Sequence, residues 1–274
     1  MLRKIGRLDE EAKKEIQGLL EAIFKLLDEN KKDIAEQKLF KLSKTPNYFI
    51  REYVGSLLNE YKDQRKIVPL IKRMVEHQLY GIRATALFYY SAKYFDEPDK
   101  LLDIIEELYD SVPWEAESII NELWKKYSDL MKKRMKQWIV SDKEAKRALA
   151  FHGMENIAFS DPDYIMDFVS LAIDDDSMEV QKKITHILTQ VARAKPIIAF
   201  PYIREWLLTP GDKRRKTIWV SMKKLANILN QKGRREKSQD FVLLTEQTIK
   251  DWAIDENESV AHMGKKLLQI ISKK

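Results

Sequence analysis

The chain contains no cysteine. That excludes disulfides, a thiolate metal site and a cysteine nucleophile. It also fits a reducing compartment, so a cytoplasmic location is expected. Glycine and proline are scarce, at 8 each in 274 residues, while 34% of residues are charged, a balance that fits an all-helical protein. No apolar run approaches the length of a membrane span. The N-terminal stretch MLRKIGRLDEEAKKEI is basic without an apolar core, so no signal peptide is expected. No segment alternates apolar and polar residues as a half-buried strand would. There is no P-loop, no GxGxxG, no nucleophile elbow and no HExxH, so no cofactor and no metal are expected.

Helical periodicity fills the space these absences leave. Apolar residues at three- and four-residue steps predict helices over 8–30, 31–44, 48–61, 66–77, 80–95, 98–110, 114–127, 129–140, 143–159, 162–173, 178–194, 196–208, 213–230, 238–254 and 259–272. The connections are short and built from Asp, Ser, Pro and Gly, apart from a polar, basic loop over 231–239 (QKGRREKSQ). The helices come in pairs, and the second helices stack in register. Ile50-Arg51, Ile82-Arg83, Ala116-Glu117, Ala145-Lys146, Val180-Gln181 and Arg214-Arg215 align, and Val54, Ala86, Ile120, Leu149, Ile184 and Ile218 then coincide. A period of about 30 to 35 residues lies in the range of helical repeats, whose units bury their apolar faces only by stacking. The expected fold is an all-α, right-handed α-α solenoid of six or seven HEAT-like units. It forms one domain over 1–274: N-terminal helices in 1–65, the best-matching repeats in 66–230, the basic loop over 231–239, and C-terminal capping helices in 240–274.

The polar starts of the second helices are expected to line the concave face. Arg51, Arg83, Glu117, Lys146, Arg147, Gln181, Lys182, Lys183, Arg214 and Arg215 fall there, and basic residues outnumber acids. Regularly spaced Lys and Arg suit a phosphate backbone, since each contact neutralises a phosphate and releases counterions. The other reading is that each Arg pairs with an acid of the next unit and holds the stack together. Lys213, Arg214, Arg215, Lys216, Lys223 and Lys224, with Arg234 and Arg235, form the densest basic cluster, either a backbone clamp or a solvated face. Net charge is +6, which permits a polyanionic partner without demanding one. Trp124 and Trp138 sit at core spacing. Trp114 opens a helix beside Glu115 and Glu117, placed to stack on a base or sugar or to staple the helix start. His152 and His186 lie on consecutive second helices, without metal-ligand spacing. Asp174-Asp175-Asp176 before Ser177 lacks the glycine and terminal Glu of a calcium loop and reads as a helix stop followed by an N-cap.

From about residue 81 to 208 the fragments IRATALFYYSAKY, WEAES, MKQWIVSDKEAKRALAF and EVQKKITHILTQVARAKPIIAFPYI resemble the HEAT-like DNA alkylation repair family. These are bacterial glycosylases that excise positively charged alkylated bases. The resemblance implies that the family's catalytic aspartate falls on Glu117 and its groove arginine on Arg147. One of its aromatics corresponds to Trp114, one residue nearer the acid, and a tryptophan of the next inner helix falls on His186. Three candidate catalytic residues follow: Glu117, Arg147 and Trp114. The candidate nucleic-acid contacts are Arg51, Arg83, Lys146, Lys182, Lys183, His186, Arg214 and Arg215. The expected partner is double-stranded DNA, held by its backbone, with a protein-binding scaffold as the alternative. A monomer without membrane attachment is expected.

Overall fold

A computed structural model describes residues 6–230 and 239–272. Among them lie fifteen α-helices, one 3-10 turn and no strand. The contacts divide the chain into two compact units, Met1–Leu123 and Trp124–Lys274.

The first unit holds α1 (Glu10–Asp28), α2 (Lys32–Ser43), α3 (Tyr48–Glu60), α4 (Gln64–Val75), α5 (Tyr80–Tyr94), α6 (Pro98–Leu108) and the start of α7 (Pro113–Lys126). Helices α1, α3 and α5 pack side by side as one layer, with α2 and α4 closing against them. Ile16, Leu20, Ile23 and Leu27 of α1 recur at three and four residues and are all buried, because those steps bring side chains round to one face. Each such side chain contributes about 1.5–3 kcal/mol on leaving water. Helix α3 packs closely on α5. A β-carbon on Gly55 would lie 2.5 Å from Phe88 Cβ and 2.8 Å from the Tyr89 backbone nitrogen, so only glycine permits this approach.

The second unit holds α8 (Ser128–Trp138), α9 (Glu144–Leu149), α10 (Pro162–Ser170), α11 (Met178–Ala194), α12 (Pro196–Leu208), α13 (Asp212–Asn230), α14 (Gln239–Ala253) and α15 (Glu258–Ile271). Helices α9, α11, α13 and α15 pack each on the next in one layer, and α10, α12 and α14 form the other. Within each unit the repeat is therefore the two-layer helix pair expected from the period. Asn47, Ser177 and Asn257 cap α3, α11 and α15, each accepting two backbone N–H groups. Trp124 and Trp138 are buried.

The helix expected over 143–159 does not run through. α9 ends at Leu149, and a 3-10 turn follows at Met154–Ile157. Gly153 between them takes φ 79°, a left-handed conformation that glycine adopts without penalty. Trp124 Nε1 donates to the His152 carbonyl at 2.9 Å, fixing the break from outside.

One side-chain contact repeats at α3, α5, α9 and α11. Arg51 donates to the Thr45 carbonyl at 3.0 Å, Arg83 to His77 at 2.7 Å, Arg147 to Ser141 at 2.8 Å and Gln181 to Asp175 at 2.8 Å. Each carbonyl lies six residues earlier, in the turn entering the helix. Such turns leave carbonyls without helical partners, and a guanidinium has donors to spare. The remaining donors reach onward. Arg83 Nη2 bonds the Ser111 carbonyl at 3.2 Å, and Arg147 holds Asp175 in a bidentate pair at 2.7 and 3.1 Å. In α9 the contact falls on Arg147, one position after Lys146, so the register steps by one there. The three aspartates before α11 form an ion-pair hub: Asp174 with Arg214, Asp175 with Arg147 and Asp176 with Lys213. Ser177 then caps the helix as its position predicts.

Two outcomes test this packing. Alanine at a helical glycine ordinarily stabilises by about 1 kcal/mol. Gly55→Ala, and Gly264→Ala in α15, where a β-carbon would collide with the Ala253 backbone nitrogen, are expected instead to destabilise by about 1–3 kcal/mol, through overpacking onto backbone. Thermal melting would read the sign. Removing one partner of the shielded Arg147–Asp175 pair, as in Arg147→Met, is expected to cost about 3 kcal/mol in denaturant unfolding. Burial works to raise the Asp175 carboxyl, but Arg147 and the Ser177 N–H outweigh it and hold it below the usual range. The unfolded chain then binds that proton more readily. The pair's contribution is full above the unfolded value of about 3.9 and falls away as pH drops through the depressed folded value. In Asp175→Asn this acid dependence should shrink, as a pH series of melting curves would record.

Candidate functional site

At the start of α7 the chain combines a buried charge with an exposed ring. Glu115 is wholly buried, accepting from Arg51 Nη2 at 2.5 Å and from the Tyr80 hydroxyl. Arg51 is itself 5% exposed, and its guanidinium lies 5.8 Å from the Tyr80 ring centre. Burial, and then the bond to Glu115, push the Tyr80 phenol well above its usual range. One residue before Glu115, Trp114 is 76% exposed. It borders an open pocket of about 570 Å³, completed by Lys44, Thr45, Pro46, Arg51, Tyr80 and Gly81. Glu117 is half-buried and accepts from the Tyr109 hydroxyl at 3.2 Å. It does not line that pocket, but it stands three residues from Trp114 on the same helix, so the two share a face.

Further along α3, α5 and α7 a smaller niche of about 150 Å³ contains Tyr48, Glu52, Phe88, Phe95, Ser118 and Glu122. The Tyr48 and Ser118 hydroxyls meet at 2.7 Å. Desolvation, and then the Glu122 charge, push the Glu52 carboxyl up. Sequence reasoning did not single out Glu115, Glu52 or Glu122. The four-residue spacings of Glu52 to Ser56 and Ser118 to Glu122 were the available sign of two polar faces that meet.

In the second unit the predicted cations divide into two groups. Arg147 and Arg214 are engaged by Asp175 and Asp174. The hydrogen bond from Arg214 holds Asp174 below the usual carboxylate range. Arg215 donates to Ser259 Oγ at 2.9 Å, Lys182 pairs with Glu179 at 2.6 Å, and Lys183 lies 3.2 Å from His152 Nδ1. Lys146 is half-buried and His186 exposed. In the first unit Arg51 and Arg83 are both drawn into the stack by their turn carbonyls. Between α11 and α13 a niche of about 220 Å³ is lined by Lys182, Lys216 and Lys224, with Thr185 and Thr217 and no acid. Thr217 Oγ1 is buried there without a hydrogen-bond partner. Arg234, Arg235 and the rest of 231–238 lie outside the described residues.

Among the described residues no group of three or more His, Cys, Asp or Glu side chains converges to hold a metal ion. None of their helices is long and apolar enough to cross a membrane.

None of the curated proteins matches the chain. Among solved structures it is similar to a designed armadillo repeat protein in complex with the peptide (KR)4. That match has 14% identity and a TM-score of 0.29, over 79% of this chain and 98% of that one. It is also similar to an engineered protein, with 13% identity and a TM-score of 0.28 over 93% and 99% of the two chains. A family model described as DNA alkylation repair enzyme matches residues 7–225. That span takes in the site at α7 and the basic inner helices α9, α11 and most of α13, and the chain belongs to the DNA alkylation repair enzyme family.

Proposed function

We propose that the chain binds duplex DNA through backbone phosphates and excises cationic alkylated purines by hydrolysing the N-glycosidic bond. The observation that carries this reading is Trp114: a ring 76% exposed at the start of the helix on which the resemblance puts the family's catalytic aspartate. A ring so placed contributes little to the core and is available to pack on a sugar or base.

The chemistry asks little of an acid. An alkylated purine is already positively charged, so the C1′–N bond breaks with its electron pair passing to the base, which leaves neutral. What lowers the barrier is a carboxylate beside the sugar oxocarbenium that forms. Glu117 supplies that charge, and takes the proton of the water that adds to C1′. Trp114, on the same face, packs against the sugar and limits its movement. Phosphate contact falls to Lys216 and Lys224, which have no acidic partner among the described residues, and to Lys182 beside them.

A second reading, a non-catalytic scaffold for a protein partner, is favoured by the arginines. Arg51, Arg147 and Arg214 are each paired with an acid and so hold the stack together instead of facing a ligand.

Lysine and α7 variants separate the readings without disturbing that framework. Affinity for duplex DNA is expected to fall steeply with salt, the slope of log K against log salt being about −0.9 per phosphate neutralised. Lys216→Glu with Lys224→Glu should flatten the slope by about two such contacts. Release of methylated purine from alkylated duplex should fall about a hundredfold in Glu117→Gln and in Trp114→Ala. Binding without base release, unchanged by Glu117→Gln, would leave a DNA-binding protein. Neither binding nor release at low salt would sink the DNA reading and leave the scaffold as the alternative.

A further inference from the structure

The groove between α13 and α15 lies half outside the family-matched residues; it shares Lys216 with the phosphate contacts proposed above but holds neither Trp114 nor Glu117. It encloses about 930 Å³, within the range of ligand-sized clefts. Its floor carries the half-buried Trp219 indole with Met263 and Ala261. Arg215 and Lys216 enter from α13, and Lys265 and Lys266 from α15. Two ammonium groups flank the ring, Lys266 Nζ at 5.7 Å and Lys223 Nζ at 6.0 Å from its centre.

Among the described residues, the acids lining the groove are Asp255, Glu256 and Glu258, all at or just before the start of α15. Asp255 is already committed, in a bidentate pair with Arg204 at 2.8 and 3.2 Å, and accepts from the Asn257 N–H at 2.9 Å. Glu256 and Glu258 are solvent-exposed. An apolar ring between cations, in a cleft of this size, matches a planar heterocycle joined to a phosphate. The ring offers a π-face, and the lysines offer charge to the adjoining backbone.

We propose that the α13–α15 groove is a binding site for an unpaired nucleotide, with its base stacked on Trp219 and its phosphate held by Lys266 and Lys265. A peptide or a rigid duplex meets only part of this chemistry. An acidic peptide satisfies the lysines and leaves the indole face unused, and a duplex keeps its bases stacked on one another. A single strand, or a free nucleotide, satisfies both.

The test uses the full chain and four probes: a short oligodeoxythymidylate, the matching abasic deoxyribose-phosphate strand, thymidine monophosphate, and a glutamate-rich peptide. The oligodeoxythymidylate is expected to quench tryptophan fluorescence and to bind about tenfold or more tightly than the abasic strand, the difference being the stacked base. Trp219→Ala should bring it down to the abasic level. Trp219→Phe, which keeps a stacking face, should retain most of the difference. Lys266→Glu, at an exposed position, should weaken both strands. Binding of thymidine monophosphate with the same Trp219 dependence would place the source as a free nucleotide; dependence seen only with the strand would place it as nucleic acid. Equal binding of the abasic and base-bearing strands, an unchanged Trp219→Ala, or equal competition by the peptide would overturn the proposal. Base release from alkylated duplex by Trp219→Ala, measured alongside, keeps this result separate from that of the α7 site.

Discussion

The stack depends on a side-chain contact that closes the turns before α3, α5, α9 and α11 onto the helices they introduce. Arg51, Arg83 and Arg147 each donate to a carbonyl six residues back, and Gln181 does the same with an amide. A helix pair of this length cannot bury its own apolar face. It needs its turn held so that the second helix leaves at a reproducible angle and meets its neighbour. The contact is found with a side-chain cap, at α3 and α11, and without one. The N-cap positions of α5 and α9, Leu79 and Lys143, make no side-chain cap, and both helices carry the arginine. The spare donors of Arg83 and Arg147 then reach twenty-eight residues onward, so one side chain secures its own turn and the next.

This use of arginine separates structure from ligand contact by residue type. A planar fork with five donors suits two or three fixed acceptors, whereas an ammonium on a flexible stem suits a mobile, hydrated anion. In the second unit Arg147 and Arg214 are drawn to aspartates, as is Lys213, while Lys216, Lys223 and Lys224 remain at the surface. A basic groove counted from sequence as Lys plus Arg therefore overstates the charge available to a phosphate. The lysines are the better guide to it.

Periodicity carried the helices, their pairing and their caps, because each depends on residues within a few positions of one another. Ser177 could be read as a cap from its place before an apolar run, and Trp124 and Trp138 as core from their spacing. What escaped depended on partners distant in sequence. The end of α9 rests on a left-handed Gly153 and on an indole N–H arriving from Trp124, and nothing between 143 and 159 announces the latter. The step from Lys146 to Arg147 is equally silent, since both are cations at a helix start and only the Ser141 carbonyl distinguishes them. The site was legible in part. Trp114 stood out for its place beside two acids, but their spacing could not say which one turns inward.

That choice is made by the buried cluster. Arg51 and Tyr80 both bond Glu115, and an unpaired carboxylate at that depth would cost several kcal/mol. Glu115 is thus the one acid at this helix start that cannot rotate outward, and its position sets the phase of α7. Successive residues turn by about 100°. With Glu115 inward, Trp114 is carried out towards solvent, and Glu117, three residues on, returns to the face of Trp114. The cluster that looks purely structural is therefore the positioning element for the ring and the carboxylate. Glutamate at 117 reaches one methylene further than the aspartate the family resemblance implies, and the Tyr109 hydroxyl at 3.2 Å restrains that longer arm. A carboxylate on a longer side chain can serve a developing cation only if its position is fixed before the cation forms. The inward pull on Glu115 and the bond from Tyr109 act on the helix and on the side chain respectively, and together they supply that fixity.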